Sequence, residues 1–281
     1  MELLGNNRDH PVSVTAQVDR NPLPARLPRF DLSRSRWLSP VLLLILWEVG
    51  SRSGLIPSRV LAAPSTVAAT AAQMLASGDL IRNLAVSLGR VAAGFSLGLV
   101  SGVALALTAG LSRWGETLLD PPIQMLRTLP LLALVPLFIV WFGIGETPKV
   151  ALIALGSTFP IYLNLFNSIR SVDAKLVEAA RSFGLKGLDL IRDVILPGAA
   201  PGLLLGVRYA LSVSWLFLVV AEQINAQAGL GYLINNARDF LRTDVIVLCL
   251  LIYALLGLST DAAVRVMERR ALAWRPSFVE R

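Results

Sequence analysis

The sequence predicts an all-α integral membrane protein with about six membrane-spanning helices. Three observations support this class. Of its 281 residues, 54% are apolar and only 16% are charged, with a mean hydropathy of +0.63. Soluble domains carry about 25% charged residues. The charges also avoid several long apolar segments, each close to the ~20 residues that a helix needs to cross a bilayer. This composition excludes a disordered chain and an ordinary soluble enzyme.

Six apolar segments are predicted to be the spans. The first is the weakest because it is short and carries Glu48, and the third is interrupted by four prolines. Proline removes a helical hydrogen bond that lipid cannot replace, so the third span should be broken where protein or water surrounds it. The segments cover residues 37–50, 84–111, 118–144, 148–166, 199–221 and 245–264. Residues 37–266 are therefore expected to form the membrane domain, between tails at 1–36 and 267–281.

The basic residues predict the orientation. Placing both termini in the cytoplasm leaves 17 of the 26 Lys and Arg residues in cytoplasmic segments and 6 in external ones. The remaining three, Arg90, Arg127 and Arg208, lie in or at the edge of spans. Because cytoplasmic loops are enriched in Lys and Arg, we expect both termini inside. The basic excess then needs no nucleic-acid partner. One cysteine and one histidine also leave little material for a disulfide or a metal site.

Two external segments, residues 51–83 and 225–244, carry further structure. Pro64 and Ser65 begin a predicted amphipathic helix in the first segment. In the second, a Gly229-Leu230-Gly231 turn precedes Tyr232, Leu233, Phe240 and Leu241. Both segments either lie at the outer membrane surface or pack as caps over the bundle. In the second span, Gly94, Gly98 and Gly102 lie on one helix face and predict close helix packing, either within the chain or in a homodimer.

Intramembrane charge suggests a path for an anion. Arg127 and Thr128 lie in the broken third span, and Arg208 lies about as deep in the fifth. A charge at such depth costs at least ~2.5–3.5 kcal/mol and therefore needs water or a partner. These residues either line a path for an anionic solute or pair structurally, for example with Asp120.

The loop between spans four and five, about residues 170–198, contains two predicted helices. Val172, Leu176, Ala179, Ala180 and Phe183 fall on one helical face, and Gly184 is expected to end that helix. A second helix is predicted over 188–196, stopping at Pro197. The apolar face of the first helix either docks into a groove of a cytoplasmic partner or lies on the inner leaflet.

The loop sequence carries a family resemblance. Glu178-Ala179-Ala180, then Gly184 after three residues, and Val194-x-Leu196-Pro197 after nine more, resemble the EAA loop of bacterial ABC importer permeases of type I. That pattern usually has Ile where this chain has Val194. Other stretches, such as Trp141-Phe142-Gly143-Ile144 and Asn236-Ala237-Arg238-Asp239-Phe240, resemble the aliphatic sulfonate permeases, which are related to taurine and nitrate/bicarbonate permeases.

The resemblance implies a non-catalytic subunit of an importer in the bacterial inner membrane. It would work as a homodimer with two ATPase subunits and a periplasmic binding protein, and move a sulfonate or related small anion by alternating access. ATP and Mg would be bound by the ATPase, because this chain lacks a G-x-x-x-x-G-K-[ST] sequence. The ATPase-coupling residues would be Glu178, Ala179, Ala180, Phe183, Gly184, Leu196 and Pro197. A secondary transporter and an integral membrane enzyme are the alternatives outside this family.

Overall fold

A computed structural model of the chain describes residues 38–224 and 226–273, and every regular element in them is helical. Contacts divide the chain into residues 1–43 and 44–281, and of the first unit only the helical residues 38–43 are described. The predicted tail at 1–36 lies outside the described residues, as does the C-terminal tail from 274 onward. The helices are α1 (Leu38–Arg52), α2 (Pro64–Ala76), α3 (Asp79–Leu111), α4 (Arg113–Thr128), α5 (Val135–Phe142), α6 (Thr147–Arg170), α7 (Ala174–Ser182), α8 (Gly187–Gln223), α9 (Leu230–Asp239) and α10 (Thr243–Ala271).

The described residues contain fewer clear spans than the sequence predicts. Helices α3, α6, α8 and α10 are long and apolar enough to cross a membrane, and the bent pair of α4 and α5 adds a fifth crossing if it is counted as one. Helix α1 occupies the first predicted span, but it has only 15 residues. At 1.5 Å per residue this reaches about 22 Å, short of the ~30 Å hydrocarbon core. Helix α10 also continues to Ala271, past the expected start of the tail at 267.

Helix α6 is the most buried of the spanning helices, and α3 packs against it through glycine. A Cβ built on Gly94 would lie 2.6 Å from Ile153, and one on Gly98 would lie 2.0 Å from the Ser157 hydroxyl. Gly102 and Gly110 meet α6 in the same way, at Ile161 and Ile169. The constant sequence offset shows that α3 and α6 run parallel. The glycine face is therefore an intrachain packing surface, which confirms that alternative.

Helix α8 packs on α6 by the same device but runs antiparallel to it. Gly202 lies against Ser168 and Asn164, and Gly206 lies against Pro160. Here the glycine can also be on α6, because Gly156 leaves room for the ring of Phe217 on α8. Without a hydrophobic force between helices in lipid, such small residues allow the close contact that holds a bundle together. Helices α3, α6 and α8 therefore form the core of the bundle, and the remaining helices pack around it or connect its ends.

The third predicted span is broken, as expected. Helices α4 and α5 are bent by 91° about residues 129–130, with a 3₁₀ turn at Leu131–Leu134 before α5. Pro130 lies in the break and Pro136 in the first turn of α5. Because proline has no N–H to donate, neither residue can continue the preceding helix. Pro121 and Pro122 instead lie inside α4, which remains helical.

Helix α2 confirms the helix predicted after Pro64, but an unexpected residue caps it. Glu48 accepts hydrogen bonds from the Ser65 backbone N–H (3.0 Å) and hydroxyl (2.7 Å). A carboxylate at this position also interacts favourably with the helix dipole. Val67 and Thr70 are buried, and the Thr70 hydroxyl donates to Asp244 of α10 at 2.7 Å. Helix α2 therefore packs on the bundle.

The expectation that Pro197 ends the second loop helix is wrong. Helix α8 runs without interruption from Gly187 to Gln223, and residues Ile191–Ile195 form a π-helical turn. In that turn the Leu196 N–H bonds to the Ile191 carbonyl, five residues back. Pro197 follows near the start of the next α-helical stretch, where a missing N–H is least costly.

The α3–α6 contact should be sensitive to a single methyl group. Gly98→Ala places a Cβ 2.7 Å from the Ala154 carbonyl oxygen, so the helices must separate. We expect a loss of about 1–3 kcal/mol of unfolding free energy, as for other overpacked sites. Gly89→Ala on the same helix meets nothing within 4 Å and should be neutral or slightly stabilising. Thermal unfolding of the two variants in detergent measures the difference, and equal melting temperatures would contradict the packing role of Gly98.

Candidate functional site

The loop between α6 and α8 folds as a helix between two turns. Asp173 caps helix α7, since its carboxylate accepts a hydrogen bond from the Lys175 backbone N–H at 2.9 Å. At the other end, Gly184 has φ +90°, the left-handed conformation that glycine adopts most readily. The Leu185 N–H bonds to the Ala180 carbonyl (3.1 Å) and the Gly184 N–H to the Arg181 carbonyl (3.0 Å). This pair of bonds is a Schellman motif, so the prediction that Gly184 ends this helix is confirmed.

The structure separates the residues predicted to form one docking face. Ala180 is 7% exposed and faces the protein, whereas Phe183 is 88% exposed and Leu176 is 58% exposed. Glu178, Ala179, Leu196 and Pro197 are also exposed. Ala180 therefore supports the loop from within, and Phe183 and Leu176 provide the large apolar side chains of the surface available to a partner. Leu188, 81% exposed at the start of α8, adds to this apolar surface.

Arg127 and Thr128 lie at the end of α4, next to the bend, and both are exposed. The Thr128 hydroxyl donates to the Met125 carbonyl at 2.7 Å. Within the described parts of the chain, Arg127 belongs to no ion pair. Asp120, considered as its partner, instead accepts hydrogen bonds from Tyr162 (2.8 Å) and Gln124 (3.3 Å).

Arg208 has a partner that the sequence did not indicate. Its Nε donates to Asp261 of α10 at 2.7 Å, and Asp261 also pairs with Arg265 one turn further along. These side chains are between a quarter and half exposed. The structure therefore places Arg208 in a pairing between α8 and α10 and does not bring it together with Arg127.

The most buried polar cluster centres on Glu222, which is fully buried. Its carboxylate accepts hydrogen bonds from Arg90 (2.7 Å), Ser87 (2.6 Å), Tyr253 (3.1 Å) and the Gly231 backbone N–H (2.8 Å). These donors come from α3, α10 and the start of α9. Four donors on one carboxylate compensate for its desolvation, which would otherwise cost several kcal/mol. We call this cluster the Glu222 network, and the end of the bundle that holds it the Glu222 end.

The network also fixes the turn between α8 and α9. Asn83 accepts from the Gly229 N–H at 2.8 Å, and the Ser87 hydroxyl accepts from the Leu230 N–H at 2.9 Å. Gly229 has φ +112°, and a Cβ there would lie 2.4 Å from the Glu222 carboxylate. A glycine is thus required at this position both for its backbone conformation and for space.

Arg90 extends the network to the loop before α6. Its guanidinium bonds to both oxygens of Glu146 (2.5 and 2.7 Å) and to the Ala228 carbonyl (2.7 Å). Lys149 donates to Glu146 at 3.0 Å. Hydrogen bonding to Arg90 holds the pKa of Glu146 at about 2, below its usual value of 4.5, so this half-exposed carboxylate stays ionised. Arg90 thus bridges two carboxylates from different parts of the chain.

Comparison with known proteins identifies the family of the chain. Residues 94–272 match the family described as the inner membrane component of binding-protein-dependent transport systems. That match covers α6, the α7 loop, α8 and most of the Glu222 network. The chain belongs to this family. It is therefore the membrane permease subunit of an ABC importer, and ATP is hydrolysed by a separate subunit. The resemblance drawn from the EAA loop is confirmed.

Relatives and solved structures agree with this assignment. A putative aliphatic sulfonates transport permease of Escherichia coli K12 is 49% identical over 242 residues, 86% of this chain and 92% of that protein. Its namesake from Bacillus subtilis 168 is 45% identical, over 86% of this chain and 87% of that protein. The taurine transport permease of E. coli K12 is 35% identical, over 88% of this chain and 92% of that protein. A crystal structure of an amino acid ABC transporter shares the fold, with a TM-score of 0.61 at 22% identity over 71% of this chain and 97% of that one.

The Arg90–Glu222 pair should contribute strongly to stability. Arg90→Ala leaves Glu222 buried without its cationic partner, and removal of one partner from a buried pair costs about 3–5 kcal/mol. Arg238→Ala removes an arginine of similar size from an exposed pair with Asp239, where about 0–1 kcal/mol is expected. Chemical unfolding of both variants in detergent measures this contrast. Comparable, small losses in both would show that the network does not stabilise the fold.

Proposed function

We propose that this permease imports aliphatic sulfonates. The observation that carries the proposal is the similarity to two permeases named for aliphatic sulfonates, at 49% and 45% identity over 86% of the chain. Similarity to the permease named for taurine, itself a sulfonate, is lower at 35%. A sulfonate head group is a permanent anion at physiological pH, so its path through the membrane needs positive charge or water.

The face around Arg127 is the best candidate for that path. A guanidinium without an ion pair in the described residues would be costly against lipid. Pro121 and Pro122 add unsatisfied backbone, since each lacks the N–H that would bond to the carbonyl four residues earlier. Both requirements are met if this face of α4 lines a hydrated path between two copies of the chain. Arg208 is less suited to the role because Asp261 neutralises it.

In the proposed assembly, two copies of this chain combine with two ATPase subunits, which bind the ATP and Mg, and with a periplasmic binding protein. In this proposal the permease itself needs no cofactor. The distribution of Lys and Arg supports cytoplasmic termini, which places the α7 loop on the cytoplasmic side with the ATPase. The Glu222 end then faces the periplasm, where the binding protein delivers substrate.

Energy transfer in this assembly would begin at α7. The exposed Phe183 ring provides an apolar contact of the kind that a groove on the ATPase can bury. Helix α7 connects through Gly184 and Gly187, both with positive φ, to α8. Helix α8 extends over 37 residues, about 55 Å, and ends in the Glu222 network. A displacement of the loop is therefore transmitted by one helix to the opposite end of the bundle.

Transport by the reconstituted complex tests the substrate. Proteoliposomes that contain the permease, its ATPase and its binding protein should take up a radiolabelled aliphatic sulfonate such as butanesulfonate when ATP is supplied. Unlabelled aliphatic sulfonates should compete, and nitrate and bicarbonate should not, because neither offers an alkyl chain. Preferential uptake of taurine or nitrate would refute the substrate assignment and leave the family assignment intact.

Phe183→Ala should uncouple transport from ATP hydrolysis. It removes the largest exposed apolar group of the loop without disturbing Ala180 or the Gly184 turn. We expect weaker association with the ATPase and at least about tenfold less uptake, the order of one lost interface anchor. Phe240→Ala is the matched control, since Phe240 is 72% exposed at the Glu222 end. Normal ATPase association and uptake in Phe183→Ala would exclude the coupling role.

Arg127→Gln should reduce sulfonate uptake about tenfold, the size expected when one charge-assisted contact is lost. The complex should still assemble, because Arg127 supports no ion pair in the described structure. Arg127→Lys keeps the charge and should retain most of the uptake. If the two variants behave alike, positive charge at this position does not assist the anion.

A further inference from the structure

A cleft of about 370 Å³ opens at the end of the bundle opposite to the Glu222 end. It lies where the last turns of α3 and α6 meet α7 and the first turns of α8. The cleft is distinct from the exposed Phe183 surface and from the Arg127 face, because neither residue lines it. The residues that line it include Leu111, Ile169, Arg170, Arg181, Gly187 and Leu190.

The cleft is positively charged. Two arginines line it and no carboxylate does. Arg170 pairs with Glu116 at 3.0 Å but is still 48% exposed, and Arg181 is in no ion pair within the described part of the chain. The N-terminus of α8, at Gly187, adds partial positive charge because no side chain caps it. An anion in the cleft would therefore meet the Arg181 guanidinium and the N-terminus of α8, together with the remaining N–H donors of Arg170, whose charge is shared with Glu116.

The rest of the lining is apolar and lies where the spanning helices α3 and α6 end. Ile169 and Leu190 are buried, and Leu111 is 38% exposed at the end of the spanning helix α3. The arginines therefore lie where these helices end, beside an apolar wall that includes the partly exposed Leu111. A free anion would use only the arginines, whereas a phospholipid would use both features, with its phosphate on the arginines and its acyl chains along the wall.

We propose that this cleft binds the phosphate of an anionic phospholipid. Arg170 belongs to α6, Arg181 to α7 and Gly187 to α8, so one phosphate would connect three elements. The bound lipid would fix the loop relative to the core helix α6. Coupling of the permease to its ATPase would then depend on anionic lipid. The site involves no residue of the proposed sulfonate path, so the two proposals can be tested independently of each other.

Lipid retention by the full complex tests the site. The permease with its ATPase is purified from nanodiscs that contain phosphatidylglycerol and phosphatidylcholine in equal amounts, and the retained lipids are identified by native mass spectrometry. We expect the wild type to retain phosphatidylglycerol in preference. Arg181→Gln should reduce this retention about tenfold, as for one charge-assisted contact. Arg192→Gln is the control. Arg192 is an exposed arginine near the start of α8, and it does not line the cleft.

A second measurement separates the lipid from a free anion. In phosphatidylcholine nanodiscs, millimolar inorganic phosphate should not raise the melting temperature of the complex above its value in chloride at the same ionic strength. Added phosphatidylglycerol should raise it. The site is refuted by equal retention of the two lipids, or by equal loss in the Arg181 and Arg192 variants. Stabilisation by inorganic phosphate without a lipid preference would also overturn it. Sulfonate uptake is measured in parallel, and its failure alone leaves this result unaffected.

Discussion

Close contact through glycine on both sides of α6 is the constraint on which the rest of the structure depends. Lipid is as apolar as leucine, so spanning helices gain little from apolar burial alone and must approach closely to hold together. Gly98 and Gly102 bring α3 against one side of α6, and Gly202 and Gly206 bring α8 against the other. Because these contacts fix the axial register of three helices, they also determine which side chains meet at each end.

The two ends of this core differ in a way that suits transport. At the Glu222 end, the buried Arg90 and Glu222 are bonded to each other and to groups on α9 and α10, so α3, α8, α9 and α10 are held in one arrangement. At the other end, α7 is joined to its neighbours by glycines with positive φ, and Phe183 is exposed. In the proposed mechanism, the ATPase would bind and displace this loop without breaking the buried hydrogen bonds of the Glu222 network. The displacement would reach the Glu222 end through the continuous helix α8.

The sequence was informative where the controlling interaction is local. Helical periodicity predicted most spans, proline predicted the bend after α4, and Gly184 predicted the end of α7. The Glu222 network was not predicted, because Arg90 and Glu222 are 132 residues apart and no periodicity connects them. The pairing of Arg208 with Asp261 was missed for the same reason. Ala180 was assigned to the docking surface because periodicity gives the residues that share a face, but does not tell which of them the core covers.

Pro197 shows how a local rule fails and what the failure implies. Proline ends a helix because it removes one N–H and clashes with the preceding turn. Here the π-helical turn over Ile191–Ile195 widens the backbone just before the proline, so the chain continues as a single helix. If the helix ended at Pro197, a flexible connection would separate the α7 loop from the spanning segment, and a movement of the loop would not be transmitted to that segment. Because α8 is continuous, no such connection lies between them. Leu196 and Pro197 therefore lie inside α8 and do not mark a boundary of the loop, and in the proposed mechanism they belong to the connection between the loop and the Glu222 end.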